Sequence, residues 1–499
     1  MQKLPIYSLL ALFLLMVALP ACEEFDENYS TNPNLKLRFS VDTLAFDTIF
    51  TETGSTTRQF MIYNRNKEAL NIEHIRLAGA ERSGFRINVD GRKGSEFNDI
   101  DISSGDSLYV FVEVTIRPQD QDQPFVMQDS VLFSYNGNNE FVLLHAYGQD
   151  VYLYKNGGEI TTDTTFTATR PFLIYGDLVV APGATLRIEE GATFYMHDKA
   201  NIIVHGSLLA EGSEELPITI RGDRTDYIIP SLPYDHSPAQ WGGIRFMPES
   251  YGNKLDYVYI RNGNSGLDCL PATPDERKIS ITNSRISNMG GNLLKAVNCD
   301  IEVINTELSN ARDTLVAIRG GKADFIHCTL ANYMSVAGRR DTTFTLYLSN
   351  NLSKEQTAPL TVRFDNSLID GNRNAGKSHT EMGGEIFFDR NENETFAYHF
   401  NHCLIKTAIE EDPNYTNVLT IPASTGSSYT LFFKTGSKKN EYSYDFRIAK
   451  NDVVAVRNAD PEVAARYPID RYGVSRTEGA FAPTIGAYEF IHLEEEETE

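Results

Sequence analysis

The sequence predicts an all-β chain in two bodies, a β-sandwich followed by a right-handed parallel β-helix. Three observations carry that prediction. ISITNSRISN (279–288) returns twenty-two residues later as IEVINTELSN (301–310), and after the same interval as ADFIHCTLAN (323–332). Glycine-small-x-apolar units recur at short spacing in PGATLRIEEGATF (182–194), followed by HGSLLAEGS (205–213). Residues 35–150 hold short alternating apolar runs separated by Gly, Asn and Pro. A fixed period of this size marks a solenoid, because one copy cannot bury its own apolar edge and stacked copies can.

The copies align in columns. Ile279, Ile301 and Ala323 share one, continued by Val362 and Tyr398 in VRFDNSLIDG (362–371) and YHFNHCLIKT (398–407). Ile281, Val303, Phe325, Phe364 and Phe400 form the second. Ser284, Thr306, Cys328, Ser367 and Cys403 form the third, and Ile286, Leu308, Leu330, Ile369 and Ile405 the fourth. A weaker copy, LDYVYIRN (255–262), precedes them. Apolar parity flips between 281 and 284, which a straight strand cannot accommodate without turning its apolar set outward. A corner at Asn283 can, since Asn tolerates the left-handed conformation. Asn305, His327, Asn366 and His402 fall at the same place. Cys328 and Cys403 are read as buried thiols in the small corner column, and His327 and His402 as corner residues.

In the first body, LKLRFSV (35–41), RQFMIY (58–63), LNIEHIRL (70–77) and LYVFVEVTI (108–116) lead a set of about seven short strands, the pattern of a sandwich. Asn136-Gly137 reads as a hairpin turn. The pattern resembles immunoglobulin-like modules that precede larger domains in bacterial surface proteins, and the resemblance implies a spacer over 35–150 without chemistry of its own.

Residues 1–21 differ from the rest. Lys3 precedes an apolar run from Ile6 to Leu19, which reads as a secretory signal. Leu19-Pro20-Ala21-Cys22 resembles the lipobox of bacterial lipoproteins, with Pro20 departing from the usual residue at that position. The resemblance implies cleavage before Cys22, acylation of its thiol and attachment to a membrane through that lipid. The acidic tether, 22–34, opens Glu23-Glu24-Phe25-Asp26-Glu27 and resembles the signal that sends lipoproteins to the surface of one Gram-negative group. A surface-exposed outer-membrane lipoprotein is the expected localisation. The formal charge is −23, and removing residues 1–21 takes it to −24, with 44 basic against 68 acidic residues. Nucleic acid is excluded as a partner, because phosphate neutralisation needs clustered cations. Cys269, Cys299, Cys328 and Cys403 are an even set in an oxidising compartment, which leaves disulfide pairing open. No CxxC or Cys/His zinc spacing occurs, so no metal is expected.

The stretch 445–490 resembles the closing segment of bacterial right-handed β-helix proteins, through Asp460-Pro461, Asp470, Gly473, Arg476 and Ile485-Gly486-Ala487-Tyr488-Glu489. It implies the architecture of 151–490 and terminal capping, and no reaction. An acidic tail, 491–499, follows. Asp-Ser/Thr pairs at Asp42, Asp47, Asp106, Asp129, Asp163, Asp313 and Asp341 resemble an O-glycosylation acceptor pattern of the same bacterial group.

Two inserts interrupt the repeat. DYIIPSLPYDHSPAQW (226–241) offers Tyr227, Tyr234, His236 and Trp241, whose rings suit sugar faces or, in a proline-rich loop, packing on the coil. DGNRNAGKSHTEMGGEIFFDRNENE (370–394) offers Asp370, Arg373, Lys377, His379, Glu381, Glu385 and Asp389. Of these Lys377, His379, Glu381 and Asp389 are the catalytic candidates. The signatures of polygalacturonase-like hydrolases are not present as a set. The leading expectation is therefore non-catalytic binding of an extracellular glycan or another surface partner, without a cofactor. The alternative is a polysaccharide lyase or glycoside hydrolase acting on uronate-rich glycans. Under the lyase alternative alone, Ca²⁺ would acidify the proton beside the uronate.

Overall fold

A computed structural model describes residues 29–229, 232–334, 343–373, 384–409, 412–421, 431–436 and 442–491. The signal, Cys22 and the repeated glutamates of the tail lie outside them, as do Lys377, His379 and Glu381. The chain divides into two compact units at Asp150/Val151.

The first unit is a sandwich of two five-stranded sheets. One contains, in spatial order, Arg38–Phe39, Arg58–Tyr63, Ser107–Val114, Phe85–Val89 and Arg92–Gly94; the other Thr43–Phe50, Asn138–Gln149, Phe125–Tyr135, Leu70–Leu77 and Glu96–Ile102. Neighbours run antiparallel except Thr43–Phe50, which lies parallel to Asn138–Gln149. Asn136 and Gly137 both take positive φ, 46° and 72°, and Asn138 pairs directly with Tyr135 across the two-residue turn. Alternate residues Val131, Phe133 and Tyr135 point inward and are fully buried, as period-two patterning requires.

The second unit is the right-handed parallel β-helix. Its strands form three faces. The sheet of short strands begins at Tyr152–Tyr154 and runs through Val258–Arg261, Arg285–Met289 and Glu307–Ala311 to Leu419–Thr420. The other two faces merge into one sheet, because Leu294–Ile304 and Val316–Ile326 pass from one to the other unbroken.

All four predicted columns are in register. Ile279 pairs with Ile301, Ile301 with Ala323, Ala323 with Val362 and Val362 with Tyr398. The fourth column runs Ile286, Leu308, Leu330, Ile369 and Ile405 on the short-strand sheet. Asn283, Asn305, His327, Asn366 and His402 all lie at φ 48–50°, the corner the parity flip demanded. In the earlier copy Tyr257 makes that corner, at φ 50°. The third column tucks behind it. Thr306 Oγ1 accepts from Ser284 N at 3.2 Å and Ser367 Oγ from Cys328 N at 3.1 Å, so the small residues satisfy backbone groups that the corner leaves unpaired. All four described cysteines are buried and unpaired, and burial pushes the Cys299 and Cys328 thiols up to about 11 and about 12.

The closing segment corrects the expectation of an end cap. It lies along the flank of the coil, against the short-strand sheet. Asp460 N donates to Asn366 Oδ1 at 2.6 Å, Gly486 N to the Asn366 carbonyl at 2.8 Å and Ala487 N to Thr329 Oγ1 at 2.9 Å. Asn305 Nδ2 donates to the Ile469 carbonyl at 3.0 Å. The corner residues thus do two things, turning the chain and offering side chains to the strap that crosses them. Ala331, Leu368 and Leu404 face outward and are sealed under Leu431, Phe432, Phe446, Ile448, Val456 and Ile485.

Candidate functional site

Where that cover ends, the outer face of the short-strand sheet becomes polar. Strand register sets two ladders there, one residue per rung. Thr219, Tyr259, Arg285 and Glu307 make one, and Tyr195, Arg221, Arg261, Ser287 and Ser309 run beside it. Successive rungs are about 4.8 Å apart. Two hollows of ≈ 420 and ≈ 540 Å³ open over this floor and share Arg285, Ser443 and Tyr444, so they form one cleft of ligand-binding size. Asp235 and His236 wall one end, and Phe433, Lys434, Asp445, Arg447 and Tyr472 the other.

Its arginines are paired. Arg261 Nε meets Asp235 Oδ1 at 2.6 Å and Arg221 Nη2 reaches the same oxygen at 3.1 Å. Arg285 Nε lies 2.9 Å from Glu307 Oε1, and Arg447 Nη2 2.7 Å from Asp445 Oδ2. Burial pushes the Glu307 carboxyl up. Arg285 and Arg471, with hydrogen bonds from Ser309 and Tyr488, outweigh it and hold the group below the usual carboxylate range. Asp235 and Asp445 are likewise lowered, by Arg261 and Arg447 acting against burial. Glu307, paired on one side with Arg285, also accepts from the Tyr488 hydroxyl. In the closing segment beside the floor, the buried Arg471 guanidinium donates to that hydroxyl at 2.6 Å and lies 5.1–5.4 Å from the ring centroids of Tyr259, Tyr472 and Tyr488. Cation–π contact of this kind fixes ring orientation before any ligand arrives.

The 226–241 insert contributes unequally. His236 lines the cleft, its Nδ1–H donating to the Tyr442 carbonyl. Tyr234 carries the Arg224 guanidinium 4.0 Å from its centroid, and Tyr227 projects outward at 54% exposure without lining the cleft. Trp241 is corrected outright: it is 0% exposed in the coil core, its Nε1 donating to the Arg261 carbonyl at 2.8 Å, and no sugar reaches it.

The 370–394 insert brings no open carboxylates together among the described residues. Asp370 is buried, accepting from Tyr333 at 2.6 Å with Lys406 Nζ at 3.5 Å, and burial, only partly offset by Lys406, pushes its carboxyl up. Glu385 accepts from Thr345 Oγ1 and Arg373 N, both at 2.7 Å. Asp389, the described catalytic candidate, accepts from Ser349 Oγ at 3.0 Å and Asn351 Nδ2 at 3.1 Å. These groups fasten the base of the insert. Among the described residues, no three of His, Cys, Asp and Glu converge as a metal-binding group.

The residues missed in the sequence are Tyr259, Arg285, Ser287 and Ser309. They sit inside the repeat, at its outward positions. The signal was present as the polar residue between inward ones, Arg285 beside Ile286 and Glu307 beside Leu308.

No family model matches the chain. Protein bark beetle of Drosophila melanogaster is 35% identical over 102 residues, which is 20% of this chain and 3% of that protein. The chain therefore matches a small fraction of that relative's length. The A-module of the mannuronan C-5 epimerase AlgE4 of Azotobacter vinelandii aligns at 8% identity over 56% of this chain and 90% of that one, with a TM-score of 0.21. A human PapD-like domain of CEP192 aligns at 10% identity over 26% of this chain and 95% of that one, with a TM-score of 0.16. At these scores neither alignment bears on chemistry, and the fold stands on the strand register itself.

Proposed function

We propose that this is a lipid-anchored surface protein whose β-helix binds an extracellular glycan in the cleft over Tyr259 and Arg285. The observation that carries the reading is the combination, across two adjoining hollows, of tyrosine rings (Tyr259 in one, Tyr472 in the other and Tyr444 in both) with fixed Arg–carboxylate pairs and serine hydroxyls. Rings supply flat apolar area to pyranose faces, and paired guanidinium and carboxylate groups supply donors and acceptors for hydroxyls. The lipobox-like Leu19-Pro20-Ala21-Cys22 supports the anchor.

One experiment addresses both halves. Intact Gram-negative cells expressing the full chain, probed with a panel of labelled glycans, are expected to capture at least one of them. Cys22→Ala should move that capture from cells to the soluble fraction. Tyr259→Ala should weaken it about tenfold, ~1.4 kcal/mol, in both. Undiminished capture by Tyr259→Ala would place binding elsewhere.

A further inference from the structure

The chain is strongly acidic, yet the cleft is close to electroneutral and its charges are already committed to one another. Arg261 and Arg221 share Asp235, Arg285 faces Glu307, and Arg447 is held by both oxygens of Asp445, with Nε at 3.0 and 3.2 Å. The remaining acids are occupied as well. Asp470 accepts from the backbone N–H of Tyr472, Val474 and Glu489 at 2.8–2.9 Å, and Glu489 accepts from Arg476 at 2.8 Å. Lys434, exposed at the rim, is the one lining cation without an ion pair among the described residues.

A polyanionic glycan entering here would have to break these pairs or bring its carboxylates beside Asp235, Glu307 and Asp445. Displacing Arg285 would leave the buried Glu307 charge uncompensated, and a carboxylate brought beside Asp235 or Asp445 would meet like-charge repulsion. A hydroxyl asks for neither. It can bridge an Arg N–H and the neighbouring carboxylate oxygen while both remain ion-paired. Resting on the glycan-binding reading above, we propose that the cleft selects neutral, hydroxyl-rich glycans and rejects uronate-rich or sulfated ones. The repeated Arg–carboxylate pairs then act as specificity determinants, excluding anions by carrying their own.

The sandwich offers the contrasting surface. Its groove of ≈ 830 Å³ is lined by Arg82, Arg86, Lys93 and Arg117 against Glu113 alone among the acids, and anion binding there has to be distinguished from binding in the cleft. The test is a titration of the full chain and its Tyr444→Ala variant with neutral oligosaccharides (gluco-, manno- and chito-series) and with oligogalacturonate and oligomannuronate of equal length. Salt is varied from low to high concentration throughout. The expected result is a neutral ligand whose affinity falls at least about tenfold in Tyr444→Ala, ~1.4 kcal/mol, and changes less than about twofold with salt, as uncharged contacts are unscreened. Oligouronates that bind, fall steeply with salt and are lost in Tyr444→Ala would overturn the selectivity while leaving the glycan-binding reading standing. Binding of no member of either series would overturn both. Oligouronate binding that survives Tyr444→Ala reports the sandwich groove, and supports the inference when neutral binding is lost in the same variant.

Discussion

Arg476→Met is expected to cost the coil about 3–5 kcal/mol, the penalty for breaking a buried ion pair from one side. Arg476 and Glu489 are both essentially inaccessible, with Nη1 donating to Oε1 at 2.8 Å. Burial pushes the Glu489 carboxyl up and the Arg476 guanidinium down, each only partly countered by its partner. The pair is therefore held together against desolvation, and removing the arginine strands the acid. Arg476 Nη2 also donates to Asn305 Oδ1 at 3.1 Å and to the Ala487 carbonyl at 3.2 Å. The substitution thus releases the strap from a corner of the coil. Trp241 is the chain's single tryptophan and lies wholly buried in the coil, so its fluorescence in urea reports this unit without contribution from the sandwich. An unchanged midpoint would show that the strap is not part of the coil's cooperative structure. The double substitution Arg476→Met/Glu489→Met should recover much of the loss, since no charge is then left alone.

Phe364→Ala should be comparably severe, at about 3–5 kcal/mol. Phe364 is fully buried between two rings, Phe325 at 4.6 Å and 6° and Phe400 at 4.9 Å and 4°. Truncation opens a cavity on both sides and interrupts the column that joins rungs 325, 364 and 400. Parallel stacking along a rigid backbone leaves little freedom to collapse into the gap. The same Trp241 signal measures the loss. A cost below about 1 kcal/mol would mean that the neighbouring rungs close over the site.

The inward columns were legible because burial constrains every member of a column at once. Asn283 could be placed at a corner from the parity of its neighbours alone, and the structure puts it at φ 49°. The immunoglobulin-like body was legible through its alternating runs, but Thr43–Phe50, Phe85–Val89 and Glu96–Ile102 were not anticipated. In TLAFDTIF the clean alternation fails after Asp47, where the burial pattern turns from eBeB to iiBB.

The site was far less legible. Whether an outward residue faces water, a ligand or protein depends on where the closing segment lies, and that is a contact across some 160 positions, Ile469 with Asn305. A motif such as Asp470, Gly473, Arg476 and Glu489 fixes how the segment folds on itself, not which side of the coil receives it. Arg285 and Glu307 therefore looked like ordinary repeat filler, while Trp241, in a proline-rich insert, fitted a ligand contact as well as the packing on the coil that it makes. The candidate cleft has its floor in the repeat and its walls in the insert and the returning C-terminal chain.

The central claim, that the cleft over Tyr259 and Arg285 is where this protein meets a glycan, is most directly tested by hydroxyl-radical footprinting of the full chain with and without its ligand. Tyr444 and Tyr472 line the cleft, and Tyr109 and Tyr147, at 44% and 46% exposure on the sandwich, serve as internal references. Saturating glycan should protect Tyr444 and Tyr472 from oxidation and leave Tyr109 and Tyr147 unchanged. Protection confined to the sandwich tyrosines, with Tyr444 and Tyr472 oxidised as in the free protein, would contradict the account.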